Sequence, residues 1–166
     1  MSFTERIQAL AQRAPKLVDR LDTEEATKNA LVMPFLSALG YDVFDPDEVI
    51  PEYTADVGMK KGEKVDYAIM RAGQVVMLVE CKKASVKLSG TEVSQLYRYF
   101  SVTKARIALL TNGVQYCFYS DLDEPNKMDP LTLPGNRPPE PPRASRCGAT
   151  ETHEGRVRPQ ADARCG

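Results

Sequence analysis

The centre of the chain holds two runs of apolar and β-branched residues with a short polar segment between them. The first run covers residues 65–70, the second covers residues 75–83, and the joining segment contains Gly73. β-Branched and aromatic residues favour strands, and a short segment with glycine between two such runs is typical of a hairpin turn. The pattern therefore predicts two antiparallel strands at the centre of the chain.

Apolar residues recur at helical spacing on the N-terminal side of this hairpin. Residues 3–21 predict one or two short helices interrupted by Pro15. Residues 23–39 predict a longer helix that is kinked at Pro34 and ends at Gly40. The hairpin is therefore preceded by a helical region.

The remaining pattern predicts three more strands and one more helix. The strands cover residues 48–56, 105–111 and 114–120, and Asn112-Gly113 between the last two is a strong hairpin signal. The helix begins near Thr91, where two residues of the sequence form a capping box. The residues of this box are Ser89 and Glu92, and the apolar stripe expected to face the sheet is Val93, Leu96 and Phe100.

The composition divides the chain into one α/β domain, residues 1–122, and a tail, residues 123–166. Eight of the 12 prolines follow Glu124, together with glycines, arginines and few large apolar residues. Such a segment cannot bury enough apolar surface to fold alone, so we expect it to be disordered or loosely packed. A frameshift or truncation in the gene is one hypothesis for the abrupt loss of pattern.

Acidic residues occur at the hairpin in a pattern that predicts a site. Thirteen residues separate Asp66 from Glu80, and Glu80-Cys81-Lys82 ends the second apolar run. Buried acids are unfavourable unless they pair or bind a metal. Asp66 shares a face with Glu80 and Lys82 only if it lies opposite Glu80 or Leu78, which requires an odd-length turn or a bulge. Opposite Val79, Asp66 would point to the other face.

Two adjacent carboxylates repel each other, which either raises one pKa or recruits a divalent cation such as Mg²⁺ or Mn²⁺. Lys82 on the same face would orient a water molecule or help to deprotonate it, while the metal neutralises charge on a phosphate. These groups predict phosphodiester hydrolysis. The alternative is an ordinary amphipathic strand whose end, residues 80–83, is solvated.

The arrangement resembles the PD-(D/E)XK nuclease superfamily, with Asp66 and Glu80-Cys81-Lys82 at the motif positions and Val65 in place of the frequent proline. Two further segments are similar to the N-terminal nuclease domain of type I restriction enzyme R subunits. They are the helix from Thr23 through Leu39-Gly40-Tyr41 and the Gln-x-x-x-Tyr motif at Gln95-Leu96-Tyr97-Arg98-Tyr99.

This resemblance implies a restriction-endonuclease-like mixed β-sheet with an αβββαβ core, flanked by helices, with an extra N-terminal helix and a C-terminal hairpin strand. It implies Mg²⁺-dependent hydrolysis of DNA, with Mn²⁺ as a substitute, in restriction or defence against foreign DNA. The implied metal ligands are Asp66, Glu80, the Cys81 backbone carbonyl and Glu24, with Glu25 as the second choice for the last.

The resemblance also implies DNA-binding or supporting roles for Gln95 and Tyr99, to which we add Lys64 and Lys83. Each candidate has a structural alternative. An acid in the first turn of a helix, such as Glu24, interacts favourably with the helix dipole without any catalytic role. The polar pair Gln95 and Tyr99 could simply form the flank of a helix beside its apolar stripe. The lysines could be solvated side chains on loops.

The net charge of −1 predicts weak DNA affinity for the chain alone, because phosphate neutralisation supplies most nonspecific affinity. The sequence lacks a P-loop motif, so a motor or specificity subunit would be a separate partner, or the chain would act as a solitary nuclease. No apolar run has the length of a membrane span and no secretory signal is evident, so we expect no membrane association and a cytoplasmic location. The alternative functions are a catalytically silent nuclease-fold module that binds nucleic acid or protein, and a truncated fragment of a restriction subunit.

Overall fold

The computed structural model describes residues 1–54, 64–121 and 127–131. Within these residues, one mixed sheet contains six strands in chain order. Strands β3 and β4 are parallel, and all other neighbouring pairs are antiparallel. The strands are β1 Val49–Tyr53, β2 Val65–Arg71, β3 Gln74–Cys81, β4 Ile107–Thr111, β5 Tyr116–Ser120 and β6 Asp129–Pro130. The predicted α/β class with a mixed sheet is confirmed.

The first three strands form an antiparallel meander whose second turn contains two residues. Ala72 and Gly73 have φ angles of 49° and 72°, which is the geometry of a tight turn that matches the twist of the strands. The register then shifts, because Ile69 pairs with Met77 while Met70 pairs with Val75. Strand β3 therefore contains a bulge, and the sequence requirement for a bulge or an odd turn is met.

The parallel connection from β3 to β4 runs through helix α4, Gly90–Val102. Its first turn has the predicted capping box of Ser89 and Glu92. The predicted stripe is fully buried against one face of the sheet together with Leu78 and Leu110. Helix α4 therefore covers the face on which the even-numbered residues at the end of β3 lie.

The opposite face of the sheet is covered by the N-terminal helices. They are α1 Phe3–Leu17, a 3₁₀ turn Val18–Arg20, α2 Glu24–Thr27, a π-helical turn Lys28–Val32 and α3 Met33–Ala38. Helix α1 continues through Pro15, where the sequence predicted an interruption. This position is two residues before the end of α1, so the proline removes little of the hydrogen-bond ladder.

The predicted kink at Pro34 takes the form of the π-helical turn that precedes it. The Met33 N–H bonds to the Lys28 carbonyl, five residues back. Pro34 has no N–H to continue an α-helical ladder at the next position. The turn brings Leu31 and Val32 into the core, where neither is exposed.

The C-terminal part of the sheet extends beyond residue 122. Strand β6 pairs with β5, and Met128 beside it is only 1% exposed. The loop between β4 and β5 covers residues 112–115, and Gly113 in it has a φ of +77°. The prediction of a disordered tail falls mainly on residues 132–166, which lie outside the described residues. No helix in the described part of the chain is long and apolar enough to cross a membrane.

Candidate active site

The bulge in β3 sets the register that forms the site. Tyr67 pairs with Val79, so the continued ladder places Asp66 opposite Glu80 at the end of the hairpin. Residues opposite each other in an antiparallel pair project to the same face of the sheet. Without the bulge, the two-residue turn would place Asp66 opposite Val79. The side chains of Asp66 and Glu80 would then lie on opposite faces.

Glu80 is almost completely buried, with 2% of its surface exposed. Its Oε1 accepts a hydrogen bond of 2.6 Å from Lys82 Nζ, while its Oε2 is buried and has no hydrogen-bond partner among the described residues. Burial and the negative charge of Asp66 raise the pKa of Glu80 to about 7, although Lys82 opposes the increase. One carboxylate oxygen therefore remains available for a proton or a cation.

Both oxygens of Asp66 have partners. The Cys81 backbone N–H donates to Oδ2 at 2.6 Å, and Lys28 Nζ lies 2.5 Å from Oδ1. The first contact joins the two strands of the hairpin. The second joins the hairpin to the N-terminal helical region.

Lys28 also belongs to the site, although the sequence did not predict a role for it. Its Nζ also lies 3.7 Å from Glu24 Oε1 and 3.7 Å from Glu25 Oε2. Burial lowers the pKa of Lys28, but the hydrogen bond and charge of Asp66 outweigh this effect and raise it above its usual value. The available signal was its spacing of four residues from Glu24, which places both side chains on one helix face.

Lys82 connects the end of β3 to α2. Its Nζ lies 2.6 Å from Glu80 Oε1 and 3.8 Å from Glu24 Oε2. Burial lowers the pKa of Lys82, yet the adjacent carboxylate of Glu80 raises it overall, so this side chain is a cation. Of the two candidate acids on α2, Glu24 approaches Lys82, whereas the side chain of Glu25 is 70% exposed and lies beside Lys28.

Thr27 fixes α2 against the segment that follows Lys82. Its buried hydroxyl donates to the Thr23 carbonyl at 3.1 Å and accepts from the Ala84 N–H at 3.0 Å. The side chain of Thr23 in turn caps α2 by accepting from the Ala26 N–H. These bonds hold Glu24 at the end of the hairpin. The cap by Thr23 is typical of a threonine before the first turn of a helix, whereas no local pattern indicates the bond between Thr27 and Ala84.

The sequence of the chain matches the family described as type I restriction enzyme R protein N terminus over residues 23–133, about two thirds of its length. This chain belongs to that family. No curated protein and no solved structure matches the chain. The matched segment of the R protein N-terminal domain begins at Thr23, the cap of α2, and includes every side chain of the site described above.

The Gln-x-x-x-Tyr motif of this R protein domain lies on α4. Gln95 Nε2 donates to the Lys64 backbone carbonyl at 3.0 Å, two residues before Asp66. Tyr99 is fully buried in the core between α4 and the sheet. Gln95 thus contacts the start of β2, and the ring of Tyr99 packs in the interior.

The two lysines predicted to contact DNA lie at the margins of the site. Lys64 Nζ forms an ion pair of 2.7 Å with Glu52, and both side chains are exposed. Lys83 follows the motif and is half-buried.

A cleft of about 440 Å³ opens beside Asp66, and its lining combines residues of α2, β1 and β2. The lining residues are Glu25, Lys28, Pro51, Glu52, Asp66 and Tyr67. Within the described residues, no three acidic, histidine or cysteine side chains are grouped closely enough to hold a metal ion. The ammonium groups of Lys28 and Lys82 lie among the carboxylates instead.

Proposed function

We propose that this domain hydrolyses DNA phosphodiester bonds with Mg²⁺ as the nuclease part of a type I restriction enzyme. The observation that carries the proposal is the bulged register, which places Asp66 opposite Glu80 with Lys82 bonded to Glu80. Membership of the R protein family supports a role in restriction. The resemblance of these three residues to the PD-(D/E)XK motif supports the reaction class.

The residues that would hold Mg²⁺ are Asp66, Glu80, Glu24 and the Cys81 backbone carbonyl. The three acidic side chains would have to move closer together around the ion, because among the described residues no three such groups lie close enough to hold it. An all-oxygen donor set is the kind that Mg²⁺ and Mn²⁺ prefer. The buried Glu80 Oε2 fits this role, because it has no hydrogen-bond partner among the described residues and a buried carboxylate oxygen without a partner is unfavourable. When bound, the metal would supply positive charge that stabilises the developing charge on a phosphate.

Lys82 would position the attacking water. Its ammonium lies between Glu80 and Glu24 and remains charged, so it can donate hydrogen bonds to a water molecule but cannot itself accept a proton in this state. In the metal-free protein, burial and Asp66 raise the pKa of Glu80 to about 7, and a bound cation would favour its charged form.

Gln95 and Tyr99 would support the geometry of the site. The bond from Gln95 to the Lys64 carbonyl supports this role, because it ties α4 to the backbone that leads into Asp66. The complete burial of Tyr99 is consistent with a role through packing. Lys64 and Lys83 would contact the DNA backbone beside the site.

DNA affinity would come largely from other parts of the enzyme. The chain has a net charge of −1, whereas proteins that bind DNA tightly without a partner are usually basic. We propose that a motor or specificity subunit, or another domain of the R protein, supplies translocation and most of the affinity. The domain described here would supply cleavage.

Nicking of supercoiled plasmid with and without Mg²⁺ tests the proposal. We expect Asp66→Ala and Lys82→Ala to abolish Mg²⁺-dependent nicking, while Lys16→Ala, in the last turn of α1, keeps wild-type activity. Glu24→Gln and Glu25→Gln form a matched pair of adjacent acids, of which the first should lose activity. Equal nicking by wild type, Asp66→Ala and Lys82→Ala would show a contaminant or another site. DNA binding without Mg²⁺-dependent cleavage would support the silent alternative.

A further inference from the structure

Lys28 holds the position at which a cation would meet Asp66. Its side chain is 14% exposed, and its Nζ lies 2.5 Å from Asp66 Oδ1. Two other acids, Glu24 and Glu25, lie at 3.7 Å from the same ammonium. A single positive group therefore contacts three carboxylates that belong to two separate elements, α2 and β2.

The two partners of Asp66 differ in their freedom to move. The Cys81 N–H that binds Oδ2 is part of the backbone of β3 and is fixed by the sheet. Lys28 binds Oδ1 through a flexible chain of four methylene groups. A divalent cation that uses Oδ1 of Asp66 must therefore displace the ammonium of Lys28, because two cations in contact with one oxygen repel each other strongly.

We propose that Lys28 is a positioning residue that occupies the metal position in the metal-free protein and moves to Glu25 when a divalent cation binds. This inference rests on the proposed function, since it assumes that Asp66 is a metal ligand. On this inference, the ammonium of Lys28 competes with the divalent cation for Asp66. Lys28 keeps Asp66 paired before loading, and it lowers the apparent affinity for the metal.

Glu25 is a suitable second partner for the displaced ammonium. It lies three residues before Lys28 on the same helix face, its Oε2 is already 3.7 Å from Nζ, and its side chain is 70% exposed. Glu24 is oriented toward Lys82 as well as Lys28, and it would be engaged by the metal. The movement needs only new side-chain torsions, with no change in the helix.

The test is a titration of the full chain with Mn²⁺. Electron paramagnetic resonance measures the concentration of free Mn²⁺ at each step, which gives the affinity. Lys28→Gln keeps a hydrogen-bond donor beside Asp66 but removes the charge, and we expect it to bind Mn²⁺ roughly tenfold more tightly than wild type. Lys28→Arg keeps the charge and should bind as weakly as wild type. Lys16→Met removes an exposed lysine in the last turn of α1, outside the site, and should change the affinity little.

A second measurement uses the wild-type protein. The side-chain ammonium signal of Lys28, observed by ¹H–¹⁵N NMR, should shift on addition of Mg²⁺, while that of Lys16 on α1 stays unchanged. An unchanged Lys28 signal at saturating Mg²⁺ would overturn the inference, even if Lys28→Gln fails to fold.

The outcomes separate this inference from the proposed function. Wild type and folded Lys28→Gln that bind Mn²⁺ equally well would overturn the inference and leave the nuclease proposal intact. Tight binding by both Lys28→Gln and Lys28→Arg would also overturn it, because charge would then not be the cause. Absence of Mn²⁺ binding from wild type and from both Lys28 variants would overturn the proposed function itself.

Discussion

Glu80→Gln is expected to stabilise the metal-free protein at alkaline pH. Burial and the charge of Asp66 raise the pKa of Glu80 from 4.5 to about 7. The folded state therefore binds this proton more tightly than the unfolded state does. Stability from this group is fully present below pH 4.5 and is lost as the pH rises through about 7. Glutamine has the same shape and carries no charge, so it avoids that loss.

The magnitude follows from the two pKa values. At about 1.36 kcal/mol per pKa unit, the difference corresponds to about 3 kcal/mol of lost stability at pH 8. This value already includes the opposing effect of Lys82, which lowers the pKa of Glu80. We expect Glu80→Gln to be more stable than wild type by about 3 kcal/mol at pH 8 and to lose most of this advantage at pH 5.

Urea denaturation followed by circular dichroism, in EDTA at pH 5 and pH 8, measures this difference. Glu25→Gln is the matched control, since its side chain is 70% exposed and its neutralisation should give no comparable gain at pH 8. A Glu80→Gln variant that is no more stable than wild type at pH 8 would refute the reasoning. The buried carboxylate would then be stabilised by a contact that the structure does not contain.

Substitutions at four further positions test how the fold holds the site. Gly113→Ala should destabilise by about 2–4 kcal/mol in urea denaturation, because its Cβ would lie 2.8 Å from Leu31 Cβ at a φ of +77°. Gly73→Ala, at a φ of +72° with nothing within 4 Å, should lose only about 1 kcal/mol, and equal losses would contradict the clash. Thr27→Val should lose about 1–3 kcal/mol, whereas Thr27→Ser should stay close to wild type. Thermal denaturation of Ser89→Ala should show a loss of about 1 kcal/mol from the capping box, and an unchanged melting temperature would count against it.

The sequence predicted those parts of the fold that local chemistry determines. The capping box and buried stripe of α4 and the central hairpin depend on residue types at fixed spacing, and all are present. The condition for Asp66 to meet Glu80 also followed from strand periodicity alone. The location of the bulge at Val76 did not, because a run of consecutive apolar residues carries no signal for the position of a register shift.

The features that local patterns left open or did not indicate depend on contacts between distant segments. Glu24 and Glu25 are adjacent in one first turn, and only the packing of α2 through Thr27 and Ala84 decides which of them approaches Lys82. Lys28 appears in sequence as an ordinary helix lysine, and its role depends on a strand 38 positions farther along the chain.

The same packing links the predicted site to its stability. Thr27 holds α2 in place, Lys28 joins α2 to Asp66, and the Cys81 N–H joins Asp66 to the strand that carries Glu80. The fully buried members of this chain of contacts are fixed by the core, whereas the ammonium of Lys28 is free to reorient on its flexible side chain. Asp66 and Glu80 are therefore held by the hairpin before a cation enters the site, whereas Glu24, whose side chain is 39% exposed, and the ammonium of Lys28 would have to move. For this reason we expect metal binding to change the pairing of Lys28 while leaving the sheet register intact.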